Sequence, residues 1–309
     1  MSKTALLFAG QGAQAAGMGK VLAEKFPAAR AWFDRANAAL GYDLSAICFN
    51  GPEAELTKTE NAQPGIFLVS WVCLELLKEQ APQFRFEAAA GLSLGEFTAL
   101  TAAGVMSFED GLRVVRQRGK FMQEACDVTK GGMAAIIGLD ETLTREVCAE
   151  AGVVLANLNC PGQLVISGEA EKIAKACELA KAKGAKRALP LTVAGAYHSP
   201  LMASAQPKLG AELATVNLVS PVVPVISNVT AAAHGAPAEI SAKLVEQVCA
   251  SVRWEESMRA LLSQGFTRFI ELGPGTALSG FMKRIDKNVQ MLNVADAASL
   301  AATVNALQA

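Results

Sequence analysis

The chain has 309 residues, 51% of them hydrophobic and 6% aromatic, and its 28 Lys and Arg against 29 Asp and Glu leave a formal net charge of −1. That length buries a sizeable core without disulfide or metal staples. The near-neutral charge excludes a nucleic-acid binder that works through a basic surface, and the scarcity of aromatics weakens any base-stacking platform. Seven dispersed cysteines, odd in number and without a C-x-x-C pair, read as reduced thiols of a cytoplasmic protein. The apolar run after Lys3 is too short for a signal sequence, and no window reaches the length of a membrane span.

In chain order, residues 4–8 read as a buried strand followed by the Gly-rich turn Ala9-Gly10-Gln11-Gly12-Ala13-Gln14. Helices are expected over 20–25, over 27–40 with Pro27 at its first position, and over 66–79 just after Pro64-Gly65. Ala88-Ala89-Ala90 then leads into Gly91-Leu92-Ser93-Leu94-Gly95, which reads as strand, sharp turn and helix with a serine at the apex. Ser107 caps a helix to about 126, with Glu109 and Asp110 as helix-start residues. The next block runs strand 133–139, helix 141–151, strands 153–158 and 163–167, helix 169–183 and strand 188–193, a split β-α-β-β-α-β order. Alternation then resumes with strand 222–227, helix 240–250, strand 267–271, helix 277–285 and strand 289–294. The whole predicts an α/β protein with a mostly parallel sheet, 1–127 and 195–309 forming the core and 128–194 a ferredoxin-like insert.

A serine hydroxyl needs a base to act as a nucleophile, and the chain offers only two histidines. His234, in Ala231-Ala232-Ala233-His234-Gly235-Ala236, reads as an exposed loop residue. His198 falls where the chain leaves the insert, a junction of the kind where sites are built, and is the candidate base. No acid stands out to orient it, and a carbonyl would serve as well. The backbone amides of Gln11 and Leu94 are candidates for an oxyanion hole. Arg118 is the lone charge in the stripe Gly111, Val114, Arg118, Phe121 and Ala125. It either pairs with a protein carboxylate or awaits an anionic ligand. Two distant histidines and scattered cysteines make no metal site.

Together Phe8-Ala9-Gly10-Gln11-Gly12-Ala13-Gln14, Gly91-Leu92-Ser93-Leu94-Gly95-Glu96, Arg118-Gly119-Lys120-Phe121-Met122-Gln123, Asn159-Cys160-Pro161-Gly162-Gln163, Gly195-Ala196-Tyr197-His198-Ser199-Pro200, Ser227-Asn228-Val229-Thr230 and Glu271-Leu272-Gly273-Pro274-Gly275 resemble the malonyl-CoA:acyl carrier protein transacylases of bacterial fatty acid synthesis over the full length. The resemblance implies an α/β-hydrolase-like large subdomain with a ferredoxin-like insert. It also implies a ping-pong transfer of malonyl from malonyl-CoA, through Ser93, to the phosphopantetheine thiol of an acyl carrier protein. His198 would be base and then acid, the Gln247 carbonyl its orienter, Gln11 and Leu94 the oxyanion hole, and Arg118 the holder of the malonyl carboxylate. Gln63, Asn159 and Tyr197 match positions near the pocket. Leu92 stands where histidine often precedes the serine, Cys160 replaces a common serine, and Tyr197 stands where phenylalanine is common.

No permanently bound cofactor is implied, and a monomer is expected. The carrier protein is acidic, which makes Lys283-Arg284, and also Lys186-Arg187, candidate docking pairs. Rival readings are a polyketide acyltransferase, a serine hydrolase or thioesterase, and an idle docking protein that recruits a carrier.

Overall fold

The computed structural model describes residues 2–308. Its central sheet contains β1 (Lys3–Phe8) and β2 (Ala88–Gly91), while a second sheet is built from β3 (Gly131–Ile137), β4 (Val154–Cys160), β5 (Gln163–Glu169) and β6 (Arg187–Pro190). The central sheet is completed by β7 (Val225–Ile226), β8 (Phe266–Leu272) and β9 (Gln290–Val294) in the order β7-β2-β1-β8-β9, and every pairing in it is parallel.

The run Ala5-Leu6-Leu7-Phe8 explains why β1 lies at the centre. Leu6 and Phe8 join the core on one face while Ala5 and Leu7 join that on the other, so both faces are covered by helices. Phe269 and Ile270 of β8 divide between the same two cores. The second sheet is antiparallel, in the order β4-β5-β3-β6, and packs the helices Glu141–Ala151 and Ala170–Ala182 over a separate apolar core. Its edge strand β4 is stitched to the main body, where the Leu158 amide donates to the Val252 carbonyl at 2.9 Å and the Val252 amide to that of Ala156 at 2.8 Å.

The helices Lys20–Lys25 and Pro27–Leu40 have the expected bounds, the second closed by Gly41 at φ 74°. Ser107 caps Phe108–Val128 by accepting from the Asp110 amide.

Other boundaries move. The helix expected after Pro64-Gly65 begins at Thr59 and runs through the proline to Gln80. Tertiary packing overrides the proline signal: Thr59, Asn61, Ala62 and Gln63 are all buried, and the Asn61 and Ala62 amides both donate to Lys58. The strand expected to reach Val193 ends at Pro190; the Leu191 amide still reaches the Met133 carbonyl at 2.9 Å, and Thr192–Ala194 turn away to line a cavity. The expected strand 222–227 shrinks to Val225–Ile226. The expected helix 240–250 is Pro237–Gln247. Leu44–Asn50, Glu53–Thr57, Ala205–Leu213, Trp254–Ser263 and Ala297–Gln308 are further helices. No helix among the described residues is long and apolar enough to cross a membrane.

Candidate active site

Ser93 sits between β2 and the helix Leu94–Ala102 with φ 53° and ψ −104°, a left-handed conformation rare for a residue with a side chain. The turn closes only because its neighbours are glycines. A Cβ on Gly91 would lie 1.9 Å from the Gly95 carbonyl, and one on Gly95 would lie 2.2 Å from the Phe8 carbonyl oxygen in β1. The strain is held by side chains on both peptide groups of the serine. Asn228 Oδ1 accepts from the Ser93 amide at 2.6 Å, Asn228 Nδ2 donates to the Gly91 carbonyl at 2.8 Å, and Gln247 Nε2 donates to the Ser93 carbonyl at 3.0 Å.

The hydroxyl that this turn presents faces two partners. His198 Nε2 is 2.8 Å from Ser93 Oγ, and Arg118 Nη2 donates to the same oxygen at 3.1 Å. The other ring nitrogen, Nδ1, lies 2.9 Å from the Gln247 carbonyl and 3.2 Å from that of Ala250. Carbonyls only accept, so Nδ1 carries the proton and Nε2 is free to take one from the serine. Gln247 is the last residue of its helix, and its carbonyl is among those a helix end leaves unpartnered. The negative end of a helix thus stands where a carboxylate often orients a catalytic histidine. Burial, with Arg118 beside it, pushes the His198 pKa down to about 4, so the imidazole is neutral at pH 7. His198 itself adopts φ 56°.

Arg118 is only 1% exposed, on the helix Phe108–Val128. Nη1 donates to Gln63 Oε1 at 2.7 Å, and Nη2 donates to Gln247 Oε1 at 2.9 Å as well as to Ser93. Among the described residues, no carboxylate lies within ion-pair distance of it, and Nε has no partner. Each hydrogen bond it makes goes to a neutral acceptor, so the structure shows no pairing with a protein carboxylate, and the guanidinium also lies over the Phe97 ring, 5.3 Å from its centroid. Burial lowers its pKa to about 10, the charge of Glu96 opposing the shift, and it stays cationic at pH 7.

Gln63 Nε2 donates to Thr59 Oγ1 at 3.2 Å, and Thr59 Oγ1 donates to Gln11 Oε1 at 2.7 Å, which joins the Gly-rich turn after β1 to the arginine. Among the described residues, no protein acceptor takes a hydrogen bond from the Gln11 amide or from that of Leu94, the first residue of its helix. Ser93, His198 and Gln11 open on a cavity of about 370 Å³ whose walls include Met133, Asn159, Leu191–Ala194, Tyr197 and Phe281. The cavity therefore lies between the two sheets. Tyr197 OH and Asn159 Oδ1 are buried at its wall, the phenol beside the side chains of Gln11, Thr59 and Cys126. Burial raises the Tyr197 pKa to about 12, so the phenol stays neutral. Arg284 is already engaged, donating to the Pro161 carbonyl at 2.8 Å and to Gln163 Oε1 at 3.2 Å, while Lys283 beside it is exposed.

Three residues at the site carry roles the sequence reading did not give them. Glu96 is fully buried, and its carboxylate accepts from Gln247 Nε2 at 2.6 Å and from the Asn228 amide at 3.1 Å. Asn228 holds the elbow. His234 is not an exposed loop residue: its side chain is fully buried, with Nε2 2.6 Å from Glu96 Oε1. An isolated bridge between Ala233 and Ile226, with the His234 amide on the Val225 carbonyl at 2.9 Å, folds that loop back along β7 and under the serine turn. The one available signal was Glu96 as the only charge in the helix Leu94–Ala102, whose first eight residues are all buried.

A strained serine at the end of a parallel strand, bonded to a neutral histidine and flanked by free amides, defines a serine acyl-transfer enzyme. The comparisons with known proteins narrow the class. The model of the acyl transferase domain family matches residues 5–304, and the chain belongs to that family. It is 46% identical to the malonyl CoA-acyl carrier protein transacylase of Bacillus subtilis, over 100% of this chain and 98% of that protein. The acyl-carrier-protein S-malonyltransferase of Bartonella henselae superposes with a TM-score of 0.95 at 41% identity, covering 99% of this chain and 100% of that one. A malonyl-transacylase solved in complex with a type II PKS acyl-carrier protein does so with a TM-score of 0.95 at 39% identity, covering 99% and 100% respectively. Among the described residues, no group of three or more His, Cys, Asp or Glu is placed to hold a metal ion.

Proposed function

We propose that the protein transfers malonyl from malonyl-CoA to the phosphopantetheine thiol of an acyl carrier protein through a malonyl-Ser93 intermediate. The observation that carries this reading is Arg118, a buried cation without a carboxylate partner 3.1 Å from the serine hydroxyl. Such a guanidinium is suited to bind the free carboxylate of an acyl group whose other end is attached to Ser93.

In the first half-reaction His198 Nε2 takes the hydroxyl proton as Ser93 Oγ bonds to the thioester carbon. The amides of Gln11 and Leu94 stabilise the oxyanion. The carbon–sulfur bond then breaks, and the coenzyme A thiolate leaves with the proton from His198. In the second half the carrier thiol gives its proton to His198 and attacks the ester, and Ser93 leaves with that proton restored. While the imidazolium exists, the Gln247 carbonyl and its helix end stabilise it.

Residues 128–194 are taken as an inserted subdomain and 1–127 with 195–309 as the acyltransferase core, a division supported by the separate apolar core of the second sheet. A monomer suffices, since each side chain invoked comes from one chain. No resident cofactor is invoked, and the cytoplasm is the assigned location. Fatty acid biosynthesis is the assigned pathway, supported by the end-to-end match to the Bacillus subtilis protein. Polyketide assembly through the same transfer is the second reading, favoured by the likeness to the transacylase solved with a type II PKS carrier.

Incubation with malonyl-CoA and mass analysis of the intact chain tests the core of the proposal. A malonyl adduct on Ser93, discharged by a holo carrier protein, is expected; no adduct in native protein beside a labelled control refutes it. Discharge by fatty acid and polyketide carriers in parallel separates the two pathways.

A further inference from the structure

We propose that Glu96 is the positioning residue of this site: through one carboxylate oxygen it holds the Gln247 side chain and the Asn228 main chain, the two residues that clamp the Ser93 turn, and through Gln247 it fixes the main-chain carbonyl that orients His198. The inference rests on the acyl-enzyme reading above and assigns Glu96 a task within it.

Oε2 of Glu96 accepts from Gln247 Nε2 at 2.6 Å and from the Asn228 amide at 3.1 Å. Those residues in turn bond the carbonyl and the amide of Ser93, at 3.0 and 2.6 Å. A single oxygen is therefore bonded to both clamping residues, to Gln247 through the clamping amide itself and to Asn228 through its main-chain N–H. An oxygen that accepts two N–H bonds is unprotonated, and a buried carboxylate is retained only where its acceptor sites are filled. His234 fills the other one: its Nε2–H faces Oε1 at 2.6 Å. Its Nδ1 has no partner, which is far less costly for the bare nitrogen of a neutral ring than for an N–H. His234 thus fills the remaining acceptor site of the carboxylate.

Charge is balanced across the same amide. Gln247 Oε1 accepts from Arg118 at 2.9 Å while its Nε2 donates to Glu96, so one side chain lies between a buried cation and a buried anion. Polarised from both ends, it has a single orientation, since a flip would set donor against donor and acceptor against acceptor. The main-chain carbonyl of the same residue, 2.9 Å from His198 Nδ1, is positioned with it. The Glu96 carboxylate makes no hydrogen bond to Ser93 Oγ or to His198, and it positions them through Gln247 and Asn228.

The test is the time course of Ser93 malonylation in full-length protein, followed by rapid quenching and intact mass. It yields a labelled fraction and a rate constant per labelled site. Glu96→Gln keeps the shape of the side chain, loses the charge and leaves an amide to collide with one donor. Its rate constant is expected to fall about 10- to 100-fold, what one hydrogen bond to a charged group is worth, with the labelled fraction near that of the unmodified chain. His234→Phe is expected to slow the rate in the same direction, and His234→Gln, which keeps an N–H toward Oε1, to recover most of that loss. An unchanged rate per labelled site in Glu96→Gln overturns the inference, whether or not the labelled fraction or the Tm falls, because a purely structural role moves only those. Absence of any adduct in the unmodified chain overturns the acyl-enzyme reading instead.

Discussion

Arg118 Nη2 donates to Ser93 Oγ at 3.1 Å, so in the free protein the group proposed to receive the substrate's carboxylate rests on the group proposed to attack its thioester. The hydroxyl accepts from a guanidinium on one side and donates to His198 Nε2 at 2.8 Å on the other. An entering carboxylate offers the guanidinium a charged acceptor in place of a neutral one, which frees a lone pair of Oγ as the substrate arrives. Acyl groups without a carboxylate have nothing to exchange.

Arg118→Ala is therefore expected to lower malonyl transfer by about 100-fold or more, the range for removing one partner of a buried charged contact. Uncharged acyl thioesters lose far less. Parallel rates with malonyl-CoA and acetyl-CoA check this, and an equal loss on both removes the carboxylate role.

The low pKa of His198 sets the pH behaviour. With the base at about 4 in the folded protein, its acidic limb in kcat/KM falls near pH 4 rather than near 6.5, and activity changes little between pH 5 and 7. Stability, unlike activity, changes across this range. The unfolded chain binds a proton below about pH 6.5 that the folded one resists until about 4. The stability associated with the neutral ring is complete above pH 6.5 and is lost as pH falls to 4, on the order of 3 kcal/mol. Urea midpoints at pH 7 and 4.5 for the native chain and for His198→Gln measure it; the pH-dependent loss is expected to be smaller in the variant.

Gly95→Ala places a methyl group 2.2 Å from the Phe8 carbonyl oxygen, a backbone atom in the central strand of the sheet. A clash with backbone exceeds ordinary overpacking, which costs about 1–3 kcal/mol. The expected result is a Tm lowered by several degrees and soluble protein that no longer labels at Ser93. Thermal melts with intact mass check both.

The sequence was most readable where one residue type carries one meaning. Pro27 and Gly41 bracket a helix whose bounds come out as expected, and Ser107 marks the next start in the same way. Ser93, His198 and Arg118 were identifiable because a serine between glycines, a scarce histidine and a charge in an apolar stripe are each locally conspicuous, and the fold gathers them within hydrogen-bond distance. Glu96 and His234 were not conspicuous, because their meaning lies in pairing across 138 positions. Locally one is a helix-start acid and the other a loop histidine. Pro64 misled for a related reason: a proline's local cost is visible in sequence, whereas the burial that outweighs it at Thr59–Gln63 is not.

The two carbonyls that take His198 Nδ1 belong to Gln247 and Ala250, on the stretch whose next residues are sewn to strand β4. Reactivity is thus written across the polypeptide in an order that matters during synthesis. A ribosome has made Ser93 and His198 well before it reaches residue 250, yet the ring has no acceptor until that point, and Arg118 lacks the Gln247 contact until the same moment. The catalytic contacts of the first two-thirds of the chain are thus closed only by residues from its C-terminal third.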